Sequence, residues 1–453
     1  MKKLGLFISD LALLYGTLVL TLYLRYGYSG QEFDRYYHLH IVPFGIIFIL
    51  WLLIFYIANL YEEKSLRNNL DFYSSFYQSV LIAGGISMVF FYLIPFFIIT
   101  PKTNLVIFIA LFAAFQTLNR YSWNRLFETR FKKSVLIVGL NPHTLELGEF
   151  IQHNPQFGYE LKYIANLEGH TSPDNINAQI VEDIESMRKI VDSGEIDTVI
   201  VTPEAYKYPE IIDAFYKSII HKISFYNSVS FYERLTGRVL LGSINQIWFL
   251  ENLGDARKKQ YELSKRLFDV VFAVIIGVIS LVIYPFIIIA IKLSSHGPIF
   301  YKQKRVGQAG QTFEIFKFRT MVEDAEKSTG AVWAADNDPR VTKLGRFLRK
   351  TRLDEFPQLL NILQGEMSFV GPRAERPEFQ ELLQKNVPFY EERYLIKPGL
   401  SGWAQINFRY GSSIKDAEEK LKYDLYYIKN RSLIFDLGII LKTIRIALQQ
   451  AGR

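Results

Sequence analysis

Four long apolar runs within the first 123 residues constrain this chain more than any other feature. They lie at roughly 4–24, 40–60, 78–99 and 104–123. Each comes close to the roughly 20 residues needed to cross a bilayer core. Inside lipid every backbone N–H and C=O must be satisfied within the segment, so these runs are expected to be helices. Four in succession argue against buried helices of a soluble fold. Lys2 and Lys3 precede the first run as they would in a signal peptide, but its length favours an anchor. Lys and Arg gather on the cytoplasmic side of membrane helices. Lys2, Lys3, the 61–77 loop with Lys64 and Arg67, and the 120–133 segment with Arg120, Arg125, Arg130, Lys132 and Lys133 therefore share that side. This places both ends of a four-helix domain, residues 1–130, in the cytoplasm. The 28–39 stretch reads as a loop.

A further apolar zone, Val270 to Ile291, carries no charge and is long enough to span. Both of its flanks are basic: Lys265 and Arg266 before it, Lys292, Lys302, Lys304 and Arg305 after it. A single crossing would export one cluster. Pro285 lies within the run and removes a backbone donor. A helix that enters at about 266, breaks near Tyr284-Pro285 and returns by about 295 on the same face resolves the conflict. An ordinary kinked span is the alternative.

Residues 131–250 read as α/β. Ser134-Val-Leu-Ile-Val138 and Asp197-Thr-Val-Ile-Val201 are buried-strand patterns separated by helix-compatible stretches, which suggests a parallel, Rossmann-like sheet. The first turn is Gly139-Leu140-Asn141-Pro142-His143-Thr144. Asn141 and Thr144 stand where a dinucleotide-binding turn has its second and third glycines. A structural, regulatory or oligomerising domain is the reading favoured. A linker follows at 251–263, and the last domain spans 264–453.

That last domain carries the chemistry. The chain has no cysteine, which excludes disulfides, thiolate nucleophiles and Cys-ligated metals. His296 is the only histidine after residue 263, so a histidine base has almost no candidate there. Basic residues recur: Lys302, Lys304 and Arg305, then Lys317 and Arg319, Asp338-Pro339-Arg340, and Lys343, Arg346, Arg349, Lys350 and Arg352. The 343–352 stretch is an amphipathic helix for an anionic membrane surface or a solvated basic face. Asp354 and Glu355 follow at once. Adjacent carboxylates among cations could bind magnesium with substrate phosphates, or supply a nucleophile that forms an acyl phosphate. Val370-Gly371-Pro372-Arg373 pairs close backbone approach with an arginine fork for phosphate. In Gly402-Trp403-Ala404-Gln405-Ile406-Asn407, a ring and two amides could meet a nucleotide base, or form a turn around a buried tryptophan.

Together, Lys265-Arg266-Leu-Phe-Asp269, Gly297-Pro298-Ile-Phe-Tyr-Lys-Gln303, Phe316-Lys317-Phe318-Arg319-Thr-Met, Asp338-Pro339-Arg340, Asp354-Glu355-Phe-Pro-Gln358, Val370-Gly371-Pro372-Arg373 and Lys397-Pro398-Gly399 resemble the bacterial sugar transferases, the polyprenyl-phosphate hexose-1-phosphate transferases. The N-terminal spans and α/β insert look like the large, polytopic branch of that family. The resemblance implies a monotopic, mainly α transferase domain with a re-entrant helix. It also implies a magnesium-dependent ping-pong reaction. Asp354 would attack the β-phosphate of a UDP-hexose, glucose or galactose, and release UMP. Glu355 would assist by handling the lipid phosphate's proton, and undecaprenyl phosphate would accept the sugar phosphate. Asp354 and Glu355 would hold Mg2+. Arg373, Arg340, Arg319, Lys317 and Lys304 would hold phosphate, and Trp403, Gln405 and Asn407 would lie near the nucleotide. The expected setting is the bacterial inner membrane, with the soluble domains in the cytoplasm. The expected pathway makes capsule, O-antigen or exopolysaccharide, and a homodimer is expected.

Two other readings stand beside this one. A membrane-anchored dehydratase or epimerase would need NAD and a Tyr-x-x-x-Lys pair, a spacing that Tyr261 and Lys265 have. A non-enzymatic assembly factor would release no UMP. Nucleic-acid binding is disfavoured, because the excess positive charge (net +7) flanks apolar membrane segments.

Overall fold

A computed structural model describes residues 2–94, 102–129, 132–167, 176–218, 223–253, 259–323, 325, 338–408 and 413–448. The end of the expected third span (95–99), Arg130 and residues 254–258 of the expected linker lie outside the described residues. The chain divides into two compact units, Met1–Phe231 and Tyr232–Arg453.

The first unit opens with four helices long and apolar enough to cross a membrane: α1 (Lys2–Tyr26), α2 (Gly30–Ile57), α3 (Leu70–Leu93) and α4 (Lys102–Thr129). They make this a membrane protein. Helix α2 begins well before its apolar run, in the stretch read as a loop. Ser29 caps it by accepting from Glu32 N at 3.5 Å, and Tyr36 stacks on Tyr26 of α1 with centroids 3.8 Å apart. Hydrophobicity marks the part of a helix in lipid, whereas capping and stacking decide where the helix starts.

Between helices in lipid there is little hydrophobic drive, so packing and polar contacts hold the bundle. Phe44, Phe48, Trp51 and Phe55 of α2 mesh with Phe108 and Phe112 of α4. The Trp51 indole N–H donates to Ser87 Oγ of α3 at 2.9 Å. At the α1–α4 seam, the buried Asp10 accepts from Arg120, from Gln116 and from the Tyr61 hydroxyl, the last at 2.7 Å. Arg120 also donates to Leu60 O at 3.2 Å. Arg120, counted above among the cations of the cytoplasmic side, is therefore fully buried in the bundle.

Five parallel strands follow: β1 (Lys133–Val138), β2 (Tyr159–Ala165), β3 (Gln179–Val181), β4 (Thr198–Val201) and β5 (Ser224–Asn227), in the order β3-β2-β1-β4-β5. Connections include α5 (Pro142–His153), α6 (Ile184–Asp192) and α7 (Pro209–Lys217). Leu136, Ile137, Val138, Val199 and Ile200 are fully buried, as strands covered on both faces must be. At the start of α5, Asn141 Oδ1 accepts from His143 N (3.1 Å) and Thr144 N (2.9 Å), while Thr144 Oγ1 accepts from Asn141 N at 2.9 Å. The amides that a dinucleotide pyrophosphate would use are thus taken by the helix's own capping box. This is the local counterpart of the two missing glycines.

Helix α8 (Ser228–Thr236) crosses into the second unit, followed by α9 (Gln246–Leu253), α10 (Lys259–Leu281) and α11 (Tyr284–Ser294). The axes of α10 and α11 are bent by 61°. Pro285 sits in the first turn of α11, where its missing N–H leaves no helical bond unmade. A hairpin of β6 (Phe300–Val306) and β7 (Thr312–Phe318) leads to α12 (Lys343–Thr351), a 3₁₀ turn (Leu353–Gln358) and α13 (Leu359–Gln364). Then come β8 (Ser368–Val370), α14 (Pro377–Asn386), β9 (Gly399–Ser401), α15 (Trp403–Asn407), α16 (Ile414–Asn430) and α17 (Leu433–Leu448). Leu421, Leu425 and Ile428 of α16 pack with Ile439, Val370 and Ile362 in the main core. A smaller cluster joins Leu348 of α12 to Ile287 and Ile291 of α11 and to Phe318 of β7. On the other side of α12, Lys343, Arg346, Phe347 and Lys350 are exposed, so the helix is amphipathic as its sequence implies.

Candidate active site

Helix α12 stops at Arg352, whose φ of 60° is the left-handed conformation uncommon for a residue with a Cβ. The reversal turns the chain at once into the 3₁₀ segment that carries Asp354 and Glu355, packed against β7. Both acids are 6% exposed. Glu355 Oε1 takes Lys317 Nζ at 3.2 Å and an Arg373 guanidinium nitrogen at 3.3 Å, and Oε2 takes Arg352 at 3.2 Å. Lys317 comes from β7. Arg373 comes from the turn after β8, which pairs in parallel with β9. Here Gly371 and Gly399 are required, because a Cβ on Gly399 would lie 2.0 Å from Gly371 N. Gly371 N donates to Ser401 O and Gly399 N donates to Pro372 O, each at 2.9 Å. This close approach of two backbones brings Arg373 to Glu355.

The two carboxylates are driven apart electrostatically. Burial pushes Glu355 up, but Lys317, Arg373 and Arg352 outweigh it and hold the acid well below the usual carboxylate range. For Asp354 burial dominates. Lys317, Arg349 and Arg352 oppose it, the Glu355 charge adds to it, and the carboxyl is raised to about 6. The Asp354 carboxyl makes no hydrogen bond or ion pair with the described residues. One acid is thus a permanent anion inside a cage of cations, and its neighbour is an uncommitted carboxyl. Neighbouring acids pushed apart in this way are suited to different roles.

The other residues singled out by sequence fall into separate groups. Lys317 and Arg373 converge on the pair of acids. Arg319 runs to Ser295, donating to its O at 2.7 Å and its Oγ at 3.0 Å. Arg340 grips Asp338 two residues earlier, with contacts of 2.6–3.1 Å. Lys304 is exposed on β6, opposite Glu314. The Trp403 indole N–H donates to Gly237 O at 2.7 Å, and its ring packs on Phe435 with centroids 4.8 Å apart. Asn407 returns to Trp403 O at 2.9 Å, and Gln405 Nε2 lies 3.5 Å from Leu400 O. The α15 set is therefore a turn around a tryptophan in its described contacts. Tyr261 and Lys265 both turn to Asp436, at 2.9 Å and 2.7 Å.

Three residues near the acids were missing from the sequence-based site. Arg352 and Arg349 were read only as part of a basic helix, yet both act on Asp354. Gln358 keeps a buried side-chain N–H₂ with no partner among the described residues. Its place one turn after Asp354 was the available signal.

Among the described residues no three His, Asp or Glu side chains are grouped to hold a metal. Magnesium, however, commonly takes one or two carboxylates and completes its shell with water and substrate phosphate. Asp354, with uncommitted oxygens, fits that use. Glu355 has both oxygens engaged by cations and fits it less well.

A family model described as bacterial sugar transferase matches residues 260–450. The UDP-N-acetylgalactosamine-undecaprenyl-phosphate N-acetylgalactosaminephosphotransferase of Aeromonas hydrophila is 40% identical over 221 residues, covering 49% of this chain and 51% of that protein. The UDP-galactose-lipid carrier transferase of Erwinia amylovora is 30% identical over 345 residues, covering 71% of this chain and 69% of that protein. The UDP-glucose:undecaprenyl-phosphate glucose-1-phosphate transferase of Escherichia coli K12 is 40% identical over 184 residues, covering 40% and 39%. The chain spans about half the length, or less, of the Aeromonas and Escherichia proteins.

Proposed function

The chain belongs to the bacterial sugar transferase family, and from that membership we propose that it transfers a hexose-1-phosphate from a UDP-hexose to undecaprenyl phosphate, releasing UMP. The observation that carries this reading is an uncommitted buried carboxylate, Asp354, beside a cage of three cations around Glu355.

In the first step an Asp354 oxygen attacks the β-phosphorus of the donor. The new O–P bond forms as the bond from that phosphorus to the bridging oxygen breaks, and UMP leaves with that oxygen. In the second step an oxygen of the lipid phosphate attacks the same phosphorus. The Asp354–phosphorus bond breaks, which gives the sugar diphospholipid and restores the carboxylate. Phosphoryl transfer is mostly positioning and charge neutralisation. In this reading Lys317, Arg352 and Arg373 neutralise the donor's phosphates, and Glu355 is the anion that aligns them. That duty suits Glu355 better than carrying the lipid's proton, since its charge is already committed. Magnesium, held by Asp354 and donor phosphate oxygens, would supply further charge neutralisation when bound.

The bent pair α10–α11 is read as a re-entrant membrane helix, which keeps both basic flanks and the transferase domain in the cytoplasm with the nucleotide sugar. The five-stranded parallel sheet is read as a Rossmann-like domain without a dinucleotide site. The setting is the bacterial inner membrane and the product an early lipid-linked intermediate of a surface polysaccharide. A homodimer is part of the same reading.

The test is UMP release by membrane-embedded protein given undecaprenyl phosphate. The relatives' names divide among N-acetylgalactosamine, glucose and galactose, so all three UDP-sugars are supplied. One donor is expected to release UMP, and Asp354→Asn is expected to abolish release while still inserting in membranes. Ordinary turnover by Asp354→Asn would remove that residue as the nucleophile, and no UMP from any donor would remove the function.

A further inference from the structure

Lys265, Arg266 and Asp269 lie within little more than one turn of α10, where its charge-free stretch begins. Each is committed to a different element of the second unit. Lys265 Nζ lies 2.7 Å from Asp436 of α17, which also accepts from Tyr261 (2.9 Å) and Tyr427 (2.6 Å). Asp269 accepts from Ser368 Oγ and Phe369 N of β8, each at 3.1 Å. Arg266 donates to Ile362 O at 2.5 Å and to Leu363 O at 2.7 Å.

The third contact differs in kind from the other two. The last carbonyls of a helix lack intrahelical partners and carry the negative end of its dipole. Arg266 supplies two donors and a positive charge to that end of α13. The helix closes on Gly365 (φ 87°), where a Cβ would lie 3.5 Å from the Arg266 guanidinium. At its other end α13 continues directly from the 3₁₀ turn that carries Asp354 and Glu355. Of the three anchors, Arg266 is therefore the one that ties the apolar helix to the acids' own helical segment. A planar fork can span two adjacent carbonyls, and a lysine ammonium can satisfy them only as a point charge.

We propose that Arg266 is a positioning residue that sets the depth of Asp354 relative to the membrane-embedded α10, so that the carboxylate meets the phosphate of a lipid whose chain is held in the bilayer. The acceptor part of this inference rests on the function proposed above. The positional part needs only that α10 lies in the membrane, whatever the reaction.

The chain has no cysteine, so Leu360→Cys, at a 54% exposed position on α13, carries a single label. Full-length protein bearing this label is placed in phosphatidylethanolamine–phosphatidylglycerol vesicles, with and without Arg266→Lys. Label depth is read by quenchers attached at two levels of the lipid. UMP formation from donor alone, transfer to undecaprenyl phosphate, and transfer to a water-soluble short-chain prenyl phosphate are measured on the same samples. Arg266→Lys is expected to shift the label's depth and keep UMP formation. Transfer to the long-chain lipid should fall about a hundredfold, as a misplacement of about 1 Å can do, with transfer to the soluble acceptor changed less than about threefold. Arg266→Gln, neutral and shorter, is the second variant and is read with the same label. Unchanged label depth in both variants, or equal loss with both acceptors, overturns the proposal. If the wild-type protein forms no UMP from any UDP-sugar, the proposed function fails, and label depth still decides the positional claim.

Discussion

Asp354 and Glu355 are adjacent in sequence and opposite in state. The difference comes from which side chains reach them. Glu355 pairs directly with Lys317, Arg352 and Arg373, whereas at Asp354 burial outweighs the charges of Lys317, Arg349 and Arg352. With Asp354 raised to about 6, the native state keeps a proton that the unfolded chain loses from about pH 4 upward. Its cost to stability is absent below about pH 4, grows as pH rises, and is complete above about 6. Asp354→Asn should therefore raise the thermal midpoint in detergent at pH 8, by the equivalent of about 1–3 kcal/mol, with the difference gone at pH 4. Scanning calorimetry at the two values checks this, and an equal effect at both would show that the carboxyl is not raised. The wild-type transfer rate should fall as pH drops through about 6, because the nucleophile must be ionised. Glu355, held low, adds no second limb near neutrality. A pH–rate profile flat from 5 to 8 would count against Asp354 as the titrating group. The Asp-Glu pair was legible in sequence. Its division of labour was not, since neighbours 38 residues before and 18 after Glu355 create it.

At the scale of elements, apolar composition located the membrane helices well and their ends poorly. The α2 helix starts where Ser29 caps it and Tyr36 finds Tyr26, signals that hydropathy does not register. The break between α10 and α11 was legible, because Pro285 states its own constraint wherever it occurs. If the break makes the helix re-entrant, Pro285→Ala should let some molecules run straight through the bilayer and export the chain after 295. Single cysteines placed in the β6–β7 hairpin would report this by labelling from the outer face, with activity falling by the exported fraction. No outer-face labelling would mean that the bend does not depend on the proline. The β8–β9 pair is the opposite case. Gly371 was read as a phosphate-approach feature, and with Gly399 it serves the approach of one backbone to another, which in turn delivers Arg373.

At the scale of the molecule, each compact unit is held by a buried polar arrangement that sequence position alone does not reveal. In the first, Asp10 and Arg120 pair across the bundle with Gln116 and Tyr61. Arg120→Ala would leave Asp10 buried without its cation, which costs about 3–5 kcal/mol. The expected result is a clear fall in thermal midpoint of the full chain in detergent, and a midpoint within error of wild type would show that water or Tyr61 replaces the pair. In the second, the Lys265–Asp436 pair and the Arg266 contact tie the apolar helix to the transferase core.

By itself the sequence determined what composition and local chemistry can carry: which stretches are apolar enough for lipid, where proline interrupts them, that the α5 turn lacks dinucleotide glycines, and which motifs in order mark the family. These are properties of short windows, and short windows keep their meaning in any fold. The tertiary structure alone decided which cations surround Glu355, that Arg120 turns into the bundle, that Trp403 spends its N–H on Gly237, and that Arg266 caps α13. A pairing depends on distance in space, and distance between residues far apart in the chain exists only once the backbone is folded.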